Sequence, residues 1–186
     1  FFVLNLWNIK LTAILASLGI AGIIIGFAVK DSLANIFGGV SLIMDQAFLV
    51  HDLIKLESGE IGIVKRIGMR STNIKTLANE ILNIPNGILA NMKVMNYAGP
   101  DKKIRISVDV SIMYGSKPDR VKKVLTNAAK SLKQILKKPE PFVRFHKLGE
   151  FSMEFKVYVF IKDSRDMFEI DNLLITKIYN DLKKNK

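Results

Sequence analysis

The chain has 186 residues, no cysteine, 49% hydrophobic residues and a formal net charge of +11. The lack of thiols excludes disulfides and thiolate metal sites, so stability and chemistry must come from packing and ordinary polar groups. The charge is uneven. Residues 1–46 hold Lys10, Lys30, Asp31 and Asp45 and sum to zero, while the remaining 140 residues carry 26 basic and 15 acidic side chains. A neutral apolar head before a basic body fits a membrane segment followed by a cytoplasmic domain, although basic domains also bind nucleic acid. No initiator Met or basic leader precedes the apolar run, so the opening reads as part of a longer protein rather than a signal peptide.

Between Lys10 and Lys30 lie 19 uncharged residues, LTAILASLGIAGIIIGFAV. As a helix this run is about 28 Å long, close to the hydrocarbon thickness of a bilayer. Phe1, Phe2 and Trp7 just before it suit an interfacial aromatic belt. A second uncharged run of 13 residues, SLANIFGGVSLIM, follows Asp31 and is too short to span alone. Its apolar residues recur at helical spacing, which predicts an amphipathic helix with Asp31 as N-cap. Lys30–Asp31 is therefore expected to break the helix in two, and Gly38-Gly39 offers a second flexible point.

Residues 47–98 contain short β-rich runs punctuated by Ser-Gly, Ile-Gly and Pro-Asn-Gly, which predicts a small all-β domain. Gly99-Pro100-Asp101 reads as a linker. Beyond it come a strand over 102–114, a helix over 117–138 with Pro118 in its first turn, strands at 142–148 and 151–161, and a helix over 167–184. The order βαββα suggests a ferredoxin-like split βαβ unit without its last strand. The division is thus 1–46, 47–98 and 99–186: a membrane helix plus α+β.

Placing residues at about 100° intervals organises the apolar run. Gly19, Gly22 and Gly26 fall on one face, and Ala13, Ser17, Ala21 and Ala28 on nearly the opposite one. Small residues let helix backbones approach closely in lipid. A glycine face meeting an alanine face is a heterologous contact, which closes into a ring of identical chains. The aliphatic side, including Leu18, Ile25 and Val29, then meets lipid or other helices. Thr12, Ala16, Ile20, Ile23, Phe27 and Lys30 line the central hole. A single glycine-rich helix buried in a monomeric bundle is the alternative.

LGIAGIIIGFAVKDSLANIFGGVSLIM, with FLVHDLIKL, GIVKRIGMRSTNIKT and ILNIPNGIL, resembles the mechanosensitive channel of small conductance. The similarity runs from about residue 11 to the end, and Ile84-Pro85-Asn86-Gly87 is among its most specific parts. The resemblance implies a heptamer whose pore is lined by this helix, with an Sm-like β domain and an α/β domain enclosing a cytoplasmic vestibule. It implies a channel of the cell membrane, opened by tension and passing ions and small osmolytes, with Ile23 and Phe27 as the two constriction rings. Lys30, Asp31, Gly38 and Gly39 become hinge candidates. The family's two preceding membrane helices and its closing strand have no counterpart here, and Asp31 stands where the family often has glycine.

Other chemistry finds little support. His51 and His146 are isolated, the spacing GxxGxxxG is neither a dinucleotide nor a phosphate-loop fingerprint, and the acidic residues 163–171 open a helix whose dipole they complement. No enzyme activity, metal or cofactor is expected. The rival reading is a membrane-anchored RNA-binding Sm-like/α+β module, which requires exposed aromatics interleaved with Arg on a strand face. The aromatics at 151, 155, 158 and 160 have little Arg beside them, so no specific nucleic acid is expected. Lys122, Lys123, Lys130, Lys133, Lys137 and Lys138 read as one basic helix.

Overall fold

In the computed structural model, which describes residues 11–99 and 103–184, the chain divides into two compact units. The first comprises residues up to His51 together with Leu56–Val94, and the second comprises Asp52–Lys55 and the residues from Met95 onward. Phe1, Phe2, Trp7 and Lys10 lie outside the described residues.

The first unit begins with helix α1, Leu11–Asp45, which is 35 residues long. The expected break is corrected here. Backbone helix runs through Lys30 and Asp31 and through Gly38-Gly39 without interruption. Lys and Asp lose only some tenths of a kcal/mol to alanine in a helix interior, less than the ladder hydrogen bonds that a break would remove. Asp31 is accordingly an interior residue, not an N-cap, and its carbonyl accepts the Asn35 side-chain amide at 2.8 Å. The charged pair interrupts the uncharged run without interrupting the backbone helix.

Three antiparallel strands follow in this unit: β2 (Ile61–Ile67), β3 (Ser71–Thr76) and β4 (Ile81–Pro85). They alternate because one face is buried: Val64, Thr72 and Ile74 point into the core with Leu42, Phe48, Leu56 and Leu89. A register shift between Val64 and Arg66 places Arg66 opposite Asn73, which in turn pairs with Asn83. The short helix α2 (Asn86–Leu89) follows β4 directly, with Pro85 in extended geometry at its N-cap.

In the second unit, β1 (Leu53–Lys55) pairs with β5 (Met95–Asn96), and Asn96 donates to the Asp52 carboxylate at 3.0 Å. The main body is a three-stranded antiparallel sheet in which β8 (Ser152–Ile161) lies between β6 (Ile104–Met113) and β7 (Phe142–Leu148). Helices α3 (Pro118–Ser131) and α4 (Met167–Lys184) bury Val121, Leu125, Ala128, Ile170, Leu174 and Ile178 against Phe155, Val157, Val159 and Ile161. β8 alternates buried and half-buried throughout, as a central strand with one face on the helices must.

The basic helix ends earlier than its composition suggests. Leu132 leaves helical geometry, Ile135 forms a bridge with Ile161, and the Leu136 amide donates to the Phe160 carbonyl at 2.8 Å. Burial of Ile135 beside β8 outweighs one more helical turn, so Lys133, Lys137 and Lys138 lie off the helix. Lys130 sits 2.5 Å from Glu140, and its hydrogen bond and charge hold the Glu140 carboxyl below the usual range.

Candidate functional site

Among the described residues nothing covers the apolar half of α1. Leu18, Ile20, Ile23, Ile24 and Ile25 are each more than 60% exposed, and Phe27 is 73% exposed. From Leu15 onward the helix is long and apolar enough to cross a membrane. A continuous apolar surface of this length exceeds what a soluble monomer leaves to water. Among the described residues, then, nothing buries this glycine-rich half of the helix.

The glycines sharpen the point. A Cβ placed at Gly19, Gly22 or Gly26 would meet nothing within 4 Å. Each glycine costs the helix about 1 kcal/mol relative to alanine, and nothing among the described residues offsets that. Ile23 and Phe27, one turn apart, share a face of the wheel with Ile20 and Thr12, all exposed. Ala16, Ala21, Ala28, Lys30 and Asp31 are exposed too. Ala13 lies in the helix but its side chain is outside the description.

The second half of α1 behaves in the opposite way. Gly38 and Gly39 are buried, with the backbone of Asn86-Gly87 on Gly38 and the Asn86 side chain and Met69 carbonyl on Gly39. A Cβ at Gly38 would stand 2.6 Å from the Asn86 carbonyl oxygen, and one at Gly39 would stand 2.5 Å from Asn86 Nδ2 and 2.9 Å from the Met69 carbonyl. Asn35, one turn earlier, accepts the Gly87 amide on Oδ1 at 3.0 Å.

Asn86 is fully buried at the centre of this contact. Its backbone amide donates to the Arg70 carbonyl at 2.9 Å, and its Nδ2 donates to the carbonyls of Gly68 at 2.8 Å and Met69 at 3.2 Å. Its Oδ1 accepts the Thr72 hydroxyl at 2.8 Å. A buried amide with both ends bonded fixes one orientation of the chain. Gly38 and Gly39 are therefore a packing surface that pins α1 to the turn after β4. The signal for this was Asn35-x-x-Gly38-Gly39, three positions on one helical face, which composition alone reads as flexibility.

On the sheet of the second unit, Phe142 and Tyr158 stack at 4.9 Å between ring centroids. Arg105 lies 5.1 Å over Tyr158, and Arg144 lies 5.5 Å over Phe142. The expectation of little Arg beside the aromatics is corrected, because the arginines come from the neighbouring strands β6 and β7. The two rings are engaged with each other and each with a guanidinium, so the arginines are already held in contacts within the chain.

Comparison with known proteins agrees with these two units. The family model "Mechanosensitive ion channel, beta-domain" matches residues 31–99, and "Mechanosensitive ion channel MscS, C-terminal" matches residues 106–186. An uncharacterized MscS family protein of Synechocystis is 31% identical over 91% of this chain and 57% of its own length. The small-conductance mechanosensitive channel MscMJ of Methanocaldococcus jannaschii is 28% identical over 82% of this chain and 43% of its own. The crystal structure of Helicobacter pylori MscS in its closed state superposes with a TM-score of 0.86 at 27% identity, covering 99% of this chain and 72% of that one. The chain spans about half the length of the curated relatives it matches. An uncovered apolar helix, a β domain pinned to its far end, an α/β unit and these matches over most of the chain lead to one conclusion: the chain belongs to the MscS family of mechanosensitive ion channels.

Proposed function

We propose that this chain forms the pore and cytoplasmic part of a small-conductance mechanosensitive channel, assembled as a ring of identical subunits, seven by resemblance to the family. In this reading residues 1–46 cross the cell membrane and reach its cytoplasmic face, Leu11–Asp45 as one unbroken helix. Residues 47–98 form an Sm-like ring beneath it, and the ferredoxin-like unit 99–186 encloses a vestibule. Ions and small osmolytes leave through the bore during hypo-osmotic shock. The observation that carries the reading is the uncovered face of Gly19, Gly22 and Gly26 on an otherwise continuous apolar helix.

Ring closure supplies what a single chain lacks. Glycine faces meet the Ala13, Ala21 and Ala28 faces of neighbours, the aliphatic side meets lipid, and Thr12, Ala16, Ile20 and Lys30 line the bore. Ile23 and Phe27 form two stacked apolar rings, which stop ions by excluding water from a narrow passage. Membrane tension favours the state of larger in-plane area, in which the rings part and the bore hydrates. Replacing Phe27 by serine removes one dry ring. Patch recordings of the full-length protein in liposomes are expected to show Phe27→Ser opening at lower tension or leaking at rest. Wild-type thresholds in that variant would take Phe27 out of the gate.

A further inference from the structure

A cleft of about 130 Å³ opens where α1 meets the β2–β3–β4 sheet, lined by Asn35, Arg70, Ser71, Asn83 and Pro85. Its chemistry is one-sided. A guanidinium, a hydroxyl and two carboxamides line it, and no carboxylate does. Among the described residues the side chains of Arg70, Ser71 and Asn83 have no partner within the chain. Asn35 is held in place, its Oδ1 on the Gly87 amide and its Nδ2 on the Asp31 carbonyl. The strand register extends the same polarity beyond the cleft: Arg66, Asn73 and Asn83 form one cross-strand row, with Lys75 further along β3. Converging donors without an acid select a tetrahedral oxyanion, and a guanidinium matches phosphate geometry.

The position selects the source. Asn35 follows Lys30, the end of the uncharged run, by five residues, or about 7.5 Å along a helix axis. The headgroup layer of a bilayer is roughly 5–8 Å deep on each side. The cleft thus lies at the depth of lipid phosphates on the side where the chain leaves the membrane. We infer that Arg70, with Ser71, Asn83 and Asn35, binds the phosphate of an anionic lipid headgroup. The site would fasten the β domain to the membrane surface beside the point where α1 is pinned. This rests on α1 spanning the bilayer.

The test uses the purified full-length protein in detergent, titrated with phosphatidylglycerol or phosphatidylcholine and read by native mass spectrometry. Wild type is expected to retain phosphatidylglycerol in preference, and Arg70→Gln to weaken it about ten-fold, the loss of one charge-assisted contact. Lys123→Gln, an exposed lysine on α3, serves as the control and should change it less than about two-fold. Equal lipid retention in wild type and Arg70→Gln overturns the site. Displacement of the lipid by millimolar inorganic phosphate overturns the lipid as source and leaves a soluble anion. Flotation of the same protein with liposomes tests membrane insertion separately, so a protein that floats but shows no Arg70 effect defeats this inference alone.

Discussion

The two glycine groups of α1 lie on one helix and do opposite things. Gly19, Gly22 and Gly26 face empty space, whereas Gly38 and Gly39 have backbone atoms closer than any Cβ tolerates. Both groups cost the helix the same in propensity. Among the described residues only the second recovers that cost, through a close contact that no side chain would permit. A glycine in a helix is therefore a question about where its partner is. For the second group the partner is 87 residues into the chain; for the first we propose that it is the next subunit.

Gly38→Ala attacks the comparison most directly. The added methyl would push on main-chain atoms that cannot rotate away, so we expect a loss of about 3 kcal/mol despite the gain in propensity. Thermal unfolding of the purified protein would show it, and an unchanged midpoint would mean the contact is looser than described. Asn86→Ala comes next, at about 2 kcal/mol, because it strands the Thr72 hydroxyl and two carbonyls in the core. Asn86→Asp should not rescue it, since a carboxylate cannot donate to the Gly68 and Met69 carbonyls.

The open group should behave in reverse. Gly22→Leu is expected to leave the β domain's unfolding unchanged while reducing ring assembly in size-exclusion and cross-linking measurements. Intact rings with normal channel currents in that variant would end the subunit-packing model. The smallest effect concerns Lys30 and Asp31, about 100° apart on the wheel and both exposed in one chain. If they pair between neighbours, each contact is worth about 0–1 kcal/mol, repeated around the ring. Asp31→Asn and Lys30→Gln should each shift the gating tension, and exchanging the two residues should restore part of it. Strictly additive shifts without rescue would show that the pair does not form.

What the sequence made legible was local. A 19-residue uncharged run, alternating strands and a proline at a helix start are all decided within a few residues, and those elements stand where expected. Three features depended on distant partners and were misread or missed. Gly38-Gly39 looked flexible because its neighbour lies across the fold; the Asn35 to Gly87 contact joins residues 52 positions apart. The basic helix looked longer because Ile135's place beside Ile161 is not written in its own neighbourhood. Arg105 and Arg144 reach the aromatic residues only through strand register. Lys30–Asp31 is a different kind of error. A charged pair in an apolar run says little about backbone geometry, and it was read as a helix break.

An unbroken helix clamped near one end is a lever. With the fulcrum at Asn35, Phe27 stands about 12 Å along the arm and Thr12 about 35 Å. A tilt of about 10° then carries Phe27 roughly 2 Å and Thr12 roughly 6 Å. In a ring all the arms would step outward together, so the bore diameter at Phe27 would widen by twice that travel, about 4 Å. If Phe27 is the narrowest ring, as we propose, the gate lies near the fulcrum, where travel is short, while the far end of the helix sweeps furthest.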